Sequence, residues 1–316
     1  MSKKQTDTCF RTSIGGQALI EGILMRGVDR QAIVVRGQDG LVTKVEELQL
    51  IKEKHPVLGW PLIRGVVNFF DSLVKGCKAL TWAAEQLPED QQEEPSKFDL
   101  WVEKKFGSEK AEKFAIGMAV ILGFCLAIGL FIFLPTFLIG LIPGVSERYI
   151  LRNLLEGIVK LVILLAYMWG CSQMKDIARV FAYHGAEHKS IFCYEHGHEL
   201  TVENVRKESR FHPRCGTSFL LVVVIISILV GCLIRVSNTG LRMVIRLCLL
   251  PVVVALSYEL NRWVGRHDTL VISRILSWPG RQLQHITTRE PDDSMMEVAI
   301  AALKLVIPAE KGADSW

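Results

Sequence analysis

Residues 218–234 read Ser-Phe-Leu-Leu-Val-Val-Val-Ile-Ile-Ser-Ile-Leu-Val-Gly-Cys-Leu-Ile. A run this apolar approaches the ~20 residues that cross a bilayer as a helix, so it predicts a membrane span. Three further stretches share that character. Phe114 to Ile142 is interrupted by Pro135, Leu154 to Gly170 carries Lys160, and Leu241 to Tyr258 carries Arg246 and Pro251. Together they predict a polytopic α-helical membrane protein with about four transmembrane helices. Half of the 316 residues are hydrophobic, and they concentrate between Phe114 and Leu260. Soluble parts are therefore expected at the flanks.

Loop charges orient the spans. Lys97, Lys104, Lys105, Lys110 and Lys113 precede the first span. Lys175, Arg179, Lys189, Arg206, Lys207, Arg210 and Arg214 lie between the second and third, and Arg262 and Arg266 follow the fourth. The loops Pro143 to Asn153 and Arg235 to Gly240 carry few. Cytoplasmic loops collect Lys and Arg, so both termini and the central loop are expected on the cytoplasmic side of a bacterial inner membrane. The lysines near Met1 have no apolar run behind them, so no cleavable signal is expected. A net charge of +4 is too mild to argue for nucleic acid as a partner. It suits polar parts facing anionic lipid. The eight cysteines show no small disulfide framework and read as reduced thiols.

The expected organisation is an N-terminal cytoplasmic α/β region over 1–96, a four-helix membrane domain over 97–260 with a central loop at 171–217, and a cytoplasmic tail over 261–316. Gln31 to Val35 and Leu41 to Leu48 are β-rich runs around Gln38-Asp39-Gly40, which predicts a hairpin. From Pro61 to Gln86 the pattern turns helical, with Leu62, Val66, Phe69, Leu73, Cys77 and Leu80 on one face. That helix either lies in the membrane interface or packs on its own domain. Leu87 to Ser96 reads as a linker. In the tail, Trp278-Pro279-Gly280 predicts a turn, and Ser294 with Glu297 predicts the start of a short amphipathic helix.

The chemistry concentrates in His184-Gly185-Ala186-Glu187-His188. This is H-x-x-E-H, the inverted zinc-peptidase signature. On a helix, residues four apart lie one turn above each other, so His184 and His188 can reach one metal ion. Glu187 stands where a general base for water would stand. The same loop holds Cys193, His196, His198, His212 and Cys215. Glu259 is expected at the cytoplasmic end of the fourth span, able to face the same site. Two metal models follow. In the catalytic one, His184 and His188 with Glu259 or His212 bind zinc, and Glu187 takes a proton from water. In the structural one, His184, His188, His212 and Cys215 close the site. A cysteine ligand favours zinc over other divalent metals.

Weaker signals were weighed beside these. His196 and His198 read as solvated residues of a polar turn, and His267 and His285 as surface or interface residues. Cys193 reads as a buried apolar residue. The glycine-rich stretch Gly15 to Gly27 matches neither a P-loop nor a dinucleotide fingerprint. Its glycines permit tight turns or close packing. Glu21 and Arg26 either reach the membrane-face site or form a structural ion pair.

Gly15-Gly16-Gln17-Ala18 with Glu21-Gly22 and Met25-Arg26-Gly27, then Tyr183 to Lys189, then His212 to Phe219, resemble the YqhQ-like family of bacterial membrane proteins. Ser257-Tyr258-Glu259, Trp278-Pro279-Gly280 and Thr287 to Pro291 fit it too. The resemblance covers nearly the whole chain. It implies a domain of unknown function often labelled a predicted metal-dependent enzyme. Position by position it points at His184, Glu187, His188, His212 and Cys215, and not at His196 or His198. The functional expectation is a zinc-dependent membrane enzyme, most plausibly a hydrolase, acting at the cytoplasmic membrane face on a lipid or a membrane-protein segment. The alternative is a non-catalytic assembly factor or scaffold with a structural metal. A transporter fits less well, because few charges interrupt the spans and no paired broken helices are visible.

Overall fold

The computed structural model describes residues 10–48, 55–88, 107–145, 147–267, 269–310 and 312–315, with side chains of 108–113 excepted. Lys97, Lys104, Lys105 and the linker beyond Pro88 lie outside the described residues.

Strand β3 (Arg30–Gly37) explains the N-terminal architecture. Ala32 and Val34 face one side and Ile33 and Val35 the other, and all four are buried. Side chains alternate along a strand, so a run buried on both faces must be covered by two layers. It belongs to an antiparallel sheet in the order β1 (Gly15–Leu19), β2 (Gly22–Arg26), β3, β4 (Gly40–Glu47). The expected hairpin is present, with Gly37 opposite Gly40 around Gln38-Asp39. The glycine-rich stretch forms a second one, with Leu19 opposite Gly22 around Ile20-Glu21. Glu21 takes a left-handed φ of 49°. Arg179 and Tyr183 hold its carboxylate, whereas Arg26 faces Asp71. The expected Glu21–Arg26 pair is thus replaced by two others.

Helix α1 (Ile63–Glu85) covers one face of the sheet, where Ala79 and Ala83 meet Leu19, Leu24, Ile33 and Val35. Its small residues bury in two places, Ala79 and Ala83 against the sheet and Gly65 against Ala255 and Tyr258 of the later helix Thr239–Arg266, while Phe70 and Val74 stay exposed. The other face meets α5 (Lys175–Glu195) and α10 (Asp293–Val306) in the larger core. Met296 and Leu303 are almost fully buried there, each worth about 1.5–3 kcal/mol relative to exposure. Asp292 caps α10, its side chain accepting from the Met295 N–H at 3.0 Å. The cap therefore lies two residues before Ser294. Sheet and C-terminal helix share one core, so the tail is not a separate appendage.

The apolar part comprises α2 (Ser108–Ile128), a π-helical segment (Gly129–Phe133), α3 (Leu134–Gly140), α4 (Tyr149–Ser172), α7 (Thr217–Gly231) and α8 (Thr239–Arg266). Among the described residues, three helices are long and apolar enough to cross a membrane: Phe114–Gly140, Tyr149–Ser172 and Thr239–Arg266. The apolar run 218–234 forms the shorter helix Thr217–Gly231. Charges inside this unit find partners. Glu156, fully buried, meets Arg152, Arg242 and Arg246, and Asn153 accepts from Arg242 and Arg246. Burying these groups is tolerable because each is hydrogen-bonded or paired.

The helix that the His184–His188 spacing requires is α5, and a short helix α6 (Val202–Lys207) follows. One further expectation changes. Trp278-Pro279-Gly280 is no turn and lies inside helix α9 (Val271–Thr287). The ring of Pro279 removes one N–H without ending the helix.

Candidate metal centre

Helix α5 presents His184 and His188 one turn apart, their rings 4.3 Å centre to centre. Cys215 reaches them from the turn before α7. That turn is pinned to α9: the His212 N–H donates to Gln284 Oε1 at 2.9 Å, and Gln284 Nε2 donates to the His212 carbonyl at 2.8 Å. The ligand atoms of His184, His188 and Cys215 all lie within 4.8 Å of one another.

Both imidazoles are held in the same way. His184 Nδ1 is 2.8 Å from the Thr287 carbonyl, and His188 Nδ1 is 2.6 Å from the Arg210 carbonyl. A carbonyl oxygen only accepts, so each Nδ1 carries a proton. In each ring this leaves Nε2 as the atom for a metal, the arrangement in which metal-binding histidines are usually fixed. His184 Nε2 lies 3.1 Å from Cys215 Sγ. His188 Nε2 is buried with no hydrogen-bond partner among the described residues. The donor set of two imidazole nitrogens and a thiol sulfur suits zinc.

The charges agree with the geometry. Burial pushes the Cys215 thiol up, but the charges of His188 and His184 outweigh it and hold the thiol well below its ordinary range. The Thr217 N–H, at the start of α7, also donates to the sulfur at 3.4 Å, a helix terminus that favours thiolate. Burial alone would lower His184, yet the Cys215 thiolate beside it raises its pKa to about 9.

Glu187 points to the same cluster and is buried. Its Oε1 accepts from the Gly16 N–H at 3.0 Å, while Oε2 has no hydrogen-bond partner among the described residues. Burial raises its pKa, opposed by His184 and His188. Strand β1 forms the lid over this carboxylate. A Cβ at position 16 would sit 2.9 Å from Glu187 Cδ and 2.8 Å from the Leu24 carbonyl, so only glycine fits. Gly185 has a similar reason: a Cβ there would sit 2.1 Å from the Arg289 carbonyl oxygen. The segment after α9 lies directly on α5, held by Arg289 N–H donating to the Phe181 carbonyl at 2.8 Å and by a Lys189–Glu290 ion pair of 3.0 Å.

His212 and Glu259 stand apart from the three ligands. His212 Nδ1 accepts from the Arg214 N–H at 3.3 Å, and Nε2 faces Glu195 at 3.5 Å. Its ring packs 5.5 Å from that of His188, so it buttresses the cluster from the side. Burial lowers the His212 pKa, against the pull of Glu195. Glu259 is committed to Arg64 and the Leu62 N–H. Being at the right depth in α8 did not make it face the site, because Arg64 of α1 reaches it first. His196 and His198 share Glu208 on the surface, at 2.9 and 3.1 Å. These three form a second, exposed group of possible ligands, in the turn expected to be solvated. Cys193 is fully buried, as expected. What sequence reasoning missed is the backbone frame: Gly16, Thr287 and Arg210 act through main-chain atoms, which leave no residue-type signal.

A model of the family described as "Protein of unknown function (DUF1385)" matches residues 60–309. The chain belongs to this family. It is 32% identical over 314 residues to "Uncharacterized protein YqhQ" of Bacillus subtilis (strain 168), covering 98% of this chain and 96% of the relative. No solved structure matches. The family model begins at Trp60, so it takes in the three clustered ligands and Glu187 but not Gly16.

Proposed function

We propose that the protein is a zinc-dependent hydrolase of the bacterial cytoplasmic membrane, with its centre at the cytoplasmic face. The observation that carries this is a set of three metal donors among the described residues, beside a buried carboxylate with one uncommitted oxygen. His184 and His188 would hold the ion through Nε2 and Cys215 through Sγ. When bound, zinc would supply a Lewis acid that polarises a substrate oxygen and acidifies water. Glu187 keeps its position through Gly16 and leaves Oε2 to take up a proton. Its raised pKa suits it to hold that proton and return it to a leaving group. Withdrawal of His212 toward Glu195 weakens the closed four-ligand model.

The topology proposed is four spans with both termini cytoplasmic. Helix α7 would be the remaining crossing, third in chain order, although 15 residues reach only about 22 Å. Cys232 to Ile234 extend its apolar run, and the fully buried Arg242 donates to the Ile234 and Val236 carbonyls at its end. A site at this membrane face fits a lipid or a membrane-protein segment as substrate. A second reading, an assembly factor or scaffold with a structural metal, draws support from the deep burial of His188, Cys215 and Glu187. Glu187→Gln in the full chain separates the two. The hydrolase reading expects retained metal with altered membrane lipids or protein fragments, as in a deletion strain. Full cellular function of Glu187→Gln would leave only the scaffold reading.

A further inference from the structure

A cavity of about 850 Å3 lies at the end of α8 nearest the metal centre, between α8, α1 and the turn that precedes Cys215. Five arginines line it: Arg26, Arg64, Arg214, Arg262 and Arg266. Among the described residues, the one acidic residue of its wall is Asp71, already shared by Arg26 and Lys75. Arg64 is neutralised by Glu259 and Arg214 by Glu195. Among the described residues, Arg266 has no carboxylate or hydrogen-bond acceptor, and Arg262 is left to share Glu259 with Arg64, while Arg64 and Arg266 lie close enough to repel it. Like charges gathered in a concave wall raise the local concentration of an anion that can separate them. Arginine in particular presents a fork of donors that matches phosphate oxygens.

The rim says which phosphate. Leu58 and Gly59 line the cavity, and the chain then exposes Trp60, Leu62 and Ile63. On the other side it leaves the wall at Arg266 and enters α9, whose outer face exposes Val271, Ile272, Ile275 and Trp278. Tryptophan beside aliphatic residues at the edge of an apolar unit is the pattern of a membrane interface. We infer that this cavity binds the phosphate headgroup of an anionic membrane lipid, with its acyl chains outside in the bilayer. The site goes beyond the hydrolase reading and stands without it, because none of the three metal ligands lines the cavity.

The test uses full-length protein in a neutral detergent, titrated with dioctanoyl phosphatidylglycerol, dioctanoyl phosphatidylcholine and inorganic phosphate. The anionic lipid should bind roughly 10-fold more tightly than phosphatidylcholine, weakening with salt. Arg262→Gln/Arg266→Gln should lose roughly 10-fold or more of that affinity, Arg266→Gln alone should lose part of it, and Arg235→Gln, in the loop at the opposite end of α8, should lose none. Two results overturn the inference. One is a variant of wild-type fold, by circular dichroism and elution volume, that keeps wild-type affinity; the single variant serves if the double does not fold. The other is equal binding of phosphatidylcholine, or displacement by inorganic phosphate at the lipid's own concentration, which would make the cavity a site for soluble anions.

Discussion

Replacing Gly185 with alanine tests the frame of the metal centre. In an exposed helix interior, Gly→Ala stabilises by about 0.8–1.0 kcal/mol. Here the new Cβ would lie 2.1 Å from the Arg289 carbonyl oxygen, 3.3 Å from its carbon and 3.4 Å from Pro291 Cδ. Ordinary contact needs more than 3 Å, so a backbone segment must move by about an ångström, and overpacking of this kind costs about 1–3 kcal/mol. The same segment receives the His184 Nδ1 hydrogen bond at Thr287 and donates from Arg289 to Phe181. Weakening two such bonds costs about 1 kcal/mol each. After the helix-propensity gain, the net loss is about 2–4 kcal/mol. Metal affinity should fall about 10–100-fold, the usual effect of losing a group that orients a ligand. Reversible unfolding in detergent and a competitive chelator titration measure the two effects. A Gly185→Ala protein as stable as wild type, binding metal equally well, would refute the claim that the 287–291 segment seats His184.

Other substitutions separate ligands from neighbours. Cys215→Ser or His188→Ala should abolish stoichiometric metal binding, whereas His212→Ala and Glu259→Gln should keep it; elemental analysis of the purified variants decides this. Glu259→Gln breaks only a partly exposed pair with Arg64, so its stability should change by about 0–1 kcal/mol, measured by thermal unfolding. Gly16→Ala should retain metal but behave like Glu187→Gln in cells, because the added methyl displaces the carboxylate rather than the ligands; a wild-type phenotype would oppose the role given to β1. A reporter fused near Ser237 should be external to the cytoplasm, and a cytoplasmic signal there would overturn the four-span topology.

Much of this was legible in residue types. The His184–His188 spacing placed two imidazoles on one helix face, and the alternation around Gln38-Asp39-Gly40 gave the β3–β4 hairpin. Apolar runs marked the long helices but not their ends: α4 starts at Tyr149 rather than Leu154, and α8 continues past Tyr258 to Arg266. The β1–β2 hairpin was not legible, because its turn is Ile20-Glu21 and the left-handed Glu21 depends on Arg179 and Tyr183 from α5. Ligand counting could not separate His212 from Cys215, three residues apart in one turn. Their roles diverge because Glu195 and Arg214 take the His212 ring while Cys215 faces the helix. Glu259 shows the same limit: depth in a span sets reach, but the partner sets direction.

The most direct test of the account is the metal content of the full-length protein, purified at neutral pH without chelators. The account predicts about one zinc per chain, lost in Cys215→Ser and kept in His212→Ala. Wild-type protein that is folded, carries no transition metal and takes up none when zinc is supplied would contradict it.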